Sequence, residues 1–226
     1  MSLLLFMLDR ESVIVATDTL ATRPDGRPFL LVSKCAVLSH LGSVAAFTGN
    51  AVIGQRWAAA VHTNLLCRDF DMLDKHTPES LRRITAEVEQ EQGPLSGSST
   101  IYHFGYSGID QRYVGYVYRS AKNFVSEKLG DGFGMKPPPA VMPANSPATI
   151  EELVEIAERI RDEQNRLDLS QRVHVGGDLV FTVLEQGKIW VSTVHRFPDF
   201  DEEWQAMNDH LAEDNEKALP SPDTSR

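Results

Sequence analysis

The chain has 226 residues, 42% of them hydrophobic, enough apolar material for one sizeable core. Its formal net charge of −10 argues against binding to nucleic acid or to an anionic membrane, contacts that Lys and Arg dominate. Cys35 and Cys67 are too few for a disulfide scaffold and fit no zinc spacing, so reduced, buried thiols are expected.

Residues 3–8 and 13–16 are short apolar runs separated by Asp9-Arg10-Glu11, which predicts two buried strands joined by a tight turn. The first run lacks a basic leader, and no run approaches the ~18 apolar residues of a membrane helix, so a cytoplasmic protein is expected. Residues 22–28 are a strong turn signal, followed by short strands over 29–32, 36–38 and 43–47. From Asn50 to Arg68 the apolar period becomes helical, through Val52, Ile53, Trp57 and Val61, with Asn50 as N-cap. A second helix is expected over 77–92, with Thr77 as cap and Pro78 at its first position. Residues 99–106, 113–119 and 123–128 read as a meander, and 130–148, with five prolines, as irregular. Thr149 and Glu152 form a capping box for a third helix over 149–166. Strands over 179–184 and 189–194 flank Glu185-Gln186-Gly187-Lys188, a hairpin signature.

This order predicts an α+β fold of two stacked sheets covered by helices on both outer faces. One domain is expected over 1–198. An acidic peripheral helix over 199–215 and a disordered tail over 217–226 are expected to follow.

Ser2, Asp18 and Lys34 stand out in this frame. Asp18 closes the second strand, and Lys34 interrupts the apolar stretch 29–38. A carboxylate and an amine in segments that read as buried should pair, because an unpaired buried charge is costly. Taken singly, Asp18 reads as a strand-end turn former, Lys34 as an edge-strand charge and Thr100 as an ordinary β former. The seven histidines show no metal spacing, and His62, His103, His174 and His195 read as structural.

The stretch 2–50 resembles the N-terminal half of proteasome β-subunits and of the related bacterial ring-forming peptidase. Mature members begin with a nucleophilic Thr, carry an Asp sixteen residues on in an Ala-Ala-Asp-Ser-Arg-Ala-Thr-like motif, and a Lys sixteen beyond that. Ser2, Asp18 and Lys34 reproduce both intervals without a gap, and Ala16-Thr17-Asp18-Thr19-Leu20-Ala21-Thr22 resembles the Asp motif. Val44-Ala45-Ala46-Phe47-Thr48-Gly49 matches, in the same register, the family strand that ends in Gly-Gly. Gly130-Asp131-Gly132 and Val175-Gly176-Gly177 fall where the family has Gly-Ser-Gly and Ser-Gly-Gly, so the resemblance extends to about residue 194.

The resemblance implies a four-layer αββα N-terminal-nucleophile hydrolase, acting without a cofactor on a peptide or other amide. Removal of Met1 would expose Ser2, whose α-amine, with an ordinary pKa of ~7.7–8.0, would act as general base. Lys34 would stabilise the neutral amine and the developing alkoxide, Asp18 would hold Lys34, and the Thr48 N–H would donate to the oxyanion. Ala21, Val32, Ala36, Ala46, Asn50 and Gly54 would line an uncharged, roomy pocket that prefers hydrophobic side chains. A homo-oligomeric ring or spiral is implied, with any unfoldase partner unspecified.

Several positions depart from the family pattern. Asp131 stands at a supporting Ser, and Arg172 and Val175 replace a supporting Asp and Ser, with Asp168 or Asp178 as candidate substitutes. A Pro-rich loop replaces a family helix near 134–144. A non-catalytic structural subunit and a small-molecule amidase of the same fold therefore stay open as alternatives.

Overall fold

The computed structural model describes residues 2–23, 25–95, 97–169 and 171–218, with side chains described through residue 211. Met1, Pro24 of the expected turn, Ser96, Ser170 and the tail from residue 219 lie outside the described residues.

The first sheet is built from β1 (Leu4–Leu8), β2 (Ser12–Asp18), β10 (Gly132–Lys136), β11 (Asp178–Glu185) and β12 (Lys188–Arg196), in the order β10-β1-β2-β11-β12. The second runs β5-β6-β7-β8-β9, from β5 (Cys35–Leu38), β6 (Ser43–Thr48), β7 (Thr100–Ser107), β8 (Arg112–Arg119) and β9 (Ser126–Lys128). A hairpin of β3 (Leu20–Thr22) and β4 (Pro28–Leu31) stands apart. The paired strands are antiparallel throughout.

The two sheets stack because their strands are apolar on both faces. In β1, Leu4, Phe6 and Leu8 point toward the second sheet and meet Val44, Tyr102 and Phe104, while Leu3 and Leu5 point the other way. That outer face packs on Ile156 and Ile160 of α3 (Ile150–Asn165). On the far side of the second sheet, Ala45, Phe47 and Ile101 meet α1 (Ala51–Thr63) and α2 (Phe70–Gln92) through Trp57, Leu73 and Ile84. Three apolar seams between four layers give the αββα sandwich that the strand and helix order predicts. Full burial of a leucine such as Leu3, Leu4 or Leu5 contributes about 1.5–3 kcal/mol. No helix among the described residues is long and apolar enough to cross a membrane.

Asn50 caps α1, its side chain accepting from the Val52 N–H at 2.9 Å, and Thr149 caps α3 by accepting from the Glu152 N–H at 3.2 Å. The turn after β11 places Gln186 and Gly187 at φ 50° and 73°, the left-handed pair that a two-residue hairpin needs.

Several expectations are corrected. The second helix begins at Phe70, capped by Asp69, and Pro78 lies inside it. Thr77 is no cap, because its hydroxyl donates back to the Leu73 carbonyl. The irregular stretch contains β10, hidden by its two glycines. Gly134 lets Phe6 lie flat against the strand, since a Cβ there would sit 2.2 Å from the ring. The first helix stops at Thr63, short of Arg68, and β9 starts only at Ser126 because Asn123 and Phe124 adopt φ near +50°. Residues 217 and 218, expected in the tail, belong to α4 (Phe200–Ala218).

Candidate active site

The β1–β2 register sets Leu4 against Thr17, which brings Ser2 and Leu3 beside the end of β2. There the Leu3 N–H donates to one Asp18 carboxylate oxygen at 2.9 Å. The other oxygen meets the Lys34 ammonium at 2.7 Å. Lys34 also donates to the Leu20 carbonyl at 2.5 Å, and its own carbonyl accepts from the Phe47 N–H, which ties it to β6. Asp18 is wholly buried and Lys34 5% exposed, so the expected pair forms out of water. Burial pushes the Asp18 carboxyl up, against the pull of Lys34 and of the donors from Leu3 and Gly176. Burial likewise lowers Lys34, against the charges of Asp18 and Glu203. Burial thus works against the charged form of both groups, and their mutual attraction and hydrogen bonds work for it.

Ser2, Lys34 and Thr48 border one cavity of about 1010 Å³. Ala21, Val32 and Asn50 line it as well. Ala36, Ala46 and Gly54 do not. Ala46 is sealed in the seam between the sheets, Ala36 packs on the helix side of the second sheet, and Gly54 lies against the Phe47 ring. The lining is not uncharged, because Arg23, Arg172 and His174 reach it from the β3–β4 hairpin and from the segment before β11. His174, expected to be structural, is thus at the cavity. Thr48 ends β6 opposite Thr100, and its buried hydroxyl finds no hydrogen-bond partner among the described residues. Gly49, at φ +96°, passes so close to the Ser98 carbonyl that a Cβ would lie 2.0 Å from it.

Asp131 is elsewhere. β10 pairs along all of β1 with Leu8 opposite Gly132, so Asp131 falls beyond the far end of that strand from Ser2. Over seven residues at ~3.4 Å each this is a separation of about 24 Å, and Asp131 there pairs with Arg112. Asp178 turns to Arg196, and Asp168 is exposed and outside the cavity lining. Val175-Gly176-Gly177 does arrive at the site: the Gly176 N–H reaches Asp18 at 3.4 Å and its carbonyl accepts from the Leu20 N–H.

One acidic residue near the site was not legible as such. Glu203 of α4 accepts from the Gly177 N–H at 2.8 Å and is 9% exposed. Desolvation, with help from Asp199 and Asp18, raises its carboxyl to about 7. Its neighbours in sequence are acidic and solvent-facing, which disguises it; only its helical spacing from buried Met207 hints at an inward face. Among the described residues, no group of three or more His, Cys, Asp or Glu could hold a metal ion.

No family model matches the chain, and no curated protein matches it significantly. Solved structures do. Anbu (ancestral beta-subunit) from Yersinia bercovieri aligns with a TM-score of 0.58 at 12% identity, covering 100% of both chains. The Anbu complex from Pseudomonas aeruginosa, solved as a helical assembly, gives 0.58 at 14% identity over 98% of both. Anbu from Hyphomicrobium sp. strain MC1 gives 0.55 at 14% over 99% of this chain and 100% of that one. The chain has the proteasome-like N-terminal-nucleophile fold. The resemblance read from the sequence is corrected at the finer level. These Anbu structures are proteasome-like but form a family distinct from the β-subunits and the ring-forming peptidase, and at such identity they establish the fold alone.

Proposed function

We propose that the chain is an amide-bond hydrolase, a peptidase in the first instance, with Ser2 as its nucleophile once Met1 is removed. The carrying observation is the linkage at the end of β2: Asp18 binds the Leu3 N–H with one oxygen and Lys34 with the other, and Ser2 and Lys34 border the same cavity. In this reading the α-amine of Ser2 takes the hydroxyl proton as Oγ bonds to the amide carbon. The same proton passes to the leaving nitrogen as the C–N bond breaks, and water then hydrolyses the ester. Lys34 opposes protonation of the amine and stabilises the alkoxide, while the Thr48 N–H serves the oxyanion.

Ala21 and Val32 favour a hydrophobic side chain beside the scissile bond, and Arg23 and Arg172 disfavour Lys or Arg there by like charge. A peptide panel cleaved best after Lys or Asp would contradict that preference. The helical assembly of the P. aeruginosa Anbu complex supports a homo-oligomeric ring or spiral for this chain too. A non-catalytic subunit of the same fold is the second reading, favoured by the distance of Asp131 from Ser2, which leaves the supporting Ser of the sequence pattern without a counterpart at that position.

The deciding experiment has two steps. Intact mass of the native chain should show loss of Met1. An epoxyketone or β-lactone should then add once to Ser2, and Ser2→Ala should abolish the adduct. Retained Met1, or equal labelling of Ser2→Ala, refutes the mechanism.

A further inference from the structure

We propose that Glu203, carried on α4, is a positioning residue for the Asp18–Lys34 pair, clamping the 176–177 backbone against Asp18 and setting the charge of the buried cluster by gaining or losing a proton.

The geometry is a sandwich around two glycines. On one side the Gly176 N–H points to Asp18, and on the other the Gly177 N–H points to Glu203. A Cβ at Gly176 would lie 2.0 Å from a Glu203 carboxylate oxygen, and one at Gly177 would lie 2.3 Å from the Thr19 hydroxyl. Only a glycine pair lets the carboxylate come this close to the backbone that touches Asp18, and Gly177 also needs its φ of +74°. The segment is fixed further by Leu20 N–H to the Gly176 carbonyl, Asp178 N–H to the Thr19 hydroxyl and Phe197 N–H to the Gly177 carbonyl. Movement of Glu203 is therefore transmitted to the carboxylate that holds both Leu3 and Lys34.

The charge argument is independent of the clamp. Asp18 of β2, Lys34 ahead of β5, Asp199 at the head of α4 and Arg161 of α3 are the charged groups that face Glu203. Arg161 is already paired with Asp199 at 2.5 Å, and among the described residues no ion pair is formed by Glu203 itself. Two buried carboxyls then share one buried ammonium. With Glu203 protonated the Asp18–Lys34–Glu203 cluster is neutral, and with it ionised the cluster carries one net negative charge, which holds the proton on Lys34 more tightly.

The effect on Ser2 rests on the hydrolase reading, and the effect on Lys34 does not. Carboxyl and lysine side-chain NMR of the intact protein, from about pH 5 to about pH 9, tests the second part directly. The Glu203 carboxyl carbon should titrate near pH 7. The Lys34 side-chain resonances should inflect at the same pH, and Glu203→Gln, which keeps the shape, should remove that inflection. The β-lactone labelling rate of Ser2 should show the same inflection in the wild type and lose it in Glu203→Gln. Glu203→Ala, which removes the clamp as well, should slow labelling by about tenfold or more. A Glu203 carboxyl that titrates near 4.5, or a Lys34 titration unmoved by Glu203→Gln, overturns the proposal. Coupled titration in a protein whose Ser2 is never labelled supports it while removing the hydrolase reading.

Discussion

At Asp18 and Lys34 two charges have been taken out of water, and their stability depends on each other. Replacing Lys34 with Ala leaves the Asp18 carboxylate buried with only its backbone donors, and should cost about 3–5 kcal/mol, read as a lower urea midpoint. The double variant Asp18→Asn/Lys34→Met should lose much less, because neither charge is then stranded. Glu203 adds a pH dependence with a definite sign. Its folded-state value of about 7 lies above the ordinary 4.5, so the folded protein binds the extra proton between them. Stability from this group is fully present below about 4.5 and is lost as pH rises through about 7. Urea unfolding at about pH 5 and about pH 8 should show that loss in the wild type and not in Glu203→Gln. Asp18 and Lys34 were legible because both interrupt apolar runs that must be buried. Glu203 was not, because nothing in an acidic helix says which carboxylate turns inward, and Asp131 misled because a Gly-x-Gly match carries no strand register.

Among the elements, those with an unbroken period were read well. The capped α1 and α3, the hairpin of β11 and β12, and the β1–β2 pair all follow from local pattern. The first two turns of α2 are hidden in the sequence because Thr-Pro is a common helix start. Here the Asp69 cap and the inward row of Phe70, Leu73, Thr77, Leu81, Ile84 and Val88 outweigh one missing backbone bond at Pro78. Pro78→Ala restores an N–H for the Asp74 carbonyl and should stabilise the protein by up to about 3 kcal/mol, measured in urea; no gain would mean that the helix has bent away from that bond. β10 escaped notice for a different reason. Its strand character comes from the partner edge of β1 and from the Phe6 ring over Gly134, neither of which is local. Gly134→Val should therefore displace Phe6 and destabilise the protein by about 1–3 kcal/mol, seen as a lower melting temperature.

Over the whole molecule, the layer order was legible because helices with one apolar face and strands with two buried faces leave few arrangements, whereas the finer kinship was not, because short motifs at low identity are shared across the fold. The net charge of −10 bears on assembly. Copies of this chain repel one another, so oligomers should grow as salt rises from about 20 mM to about 500 mM, followed by light scattering; dissolution by salt would point instead to ion-paired contacts between subunits. The placement of β1 has a temporal meaning as well. Leu4 and Leu5 are enclosed between β2 and a strand supplied by residues 132–136, more than a hundred positions further along the chain. In the proposed mechanism, an aminopeptidase that removes Met1 meets an unpaired β1 until that later strand arrives. On the hydrolase reading, exposure of Ser2 is then a race between trimming and folding, run before the finished cavity exists.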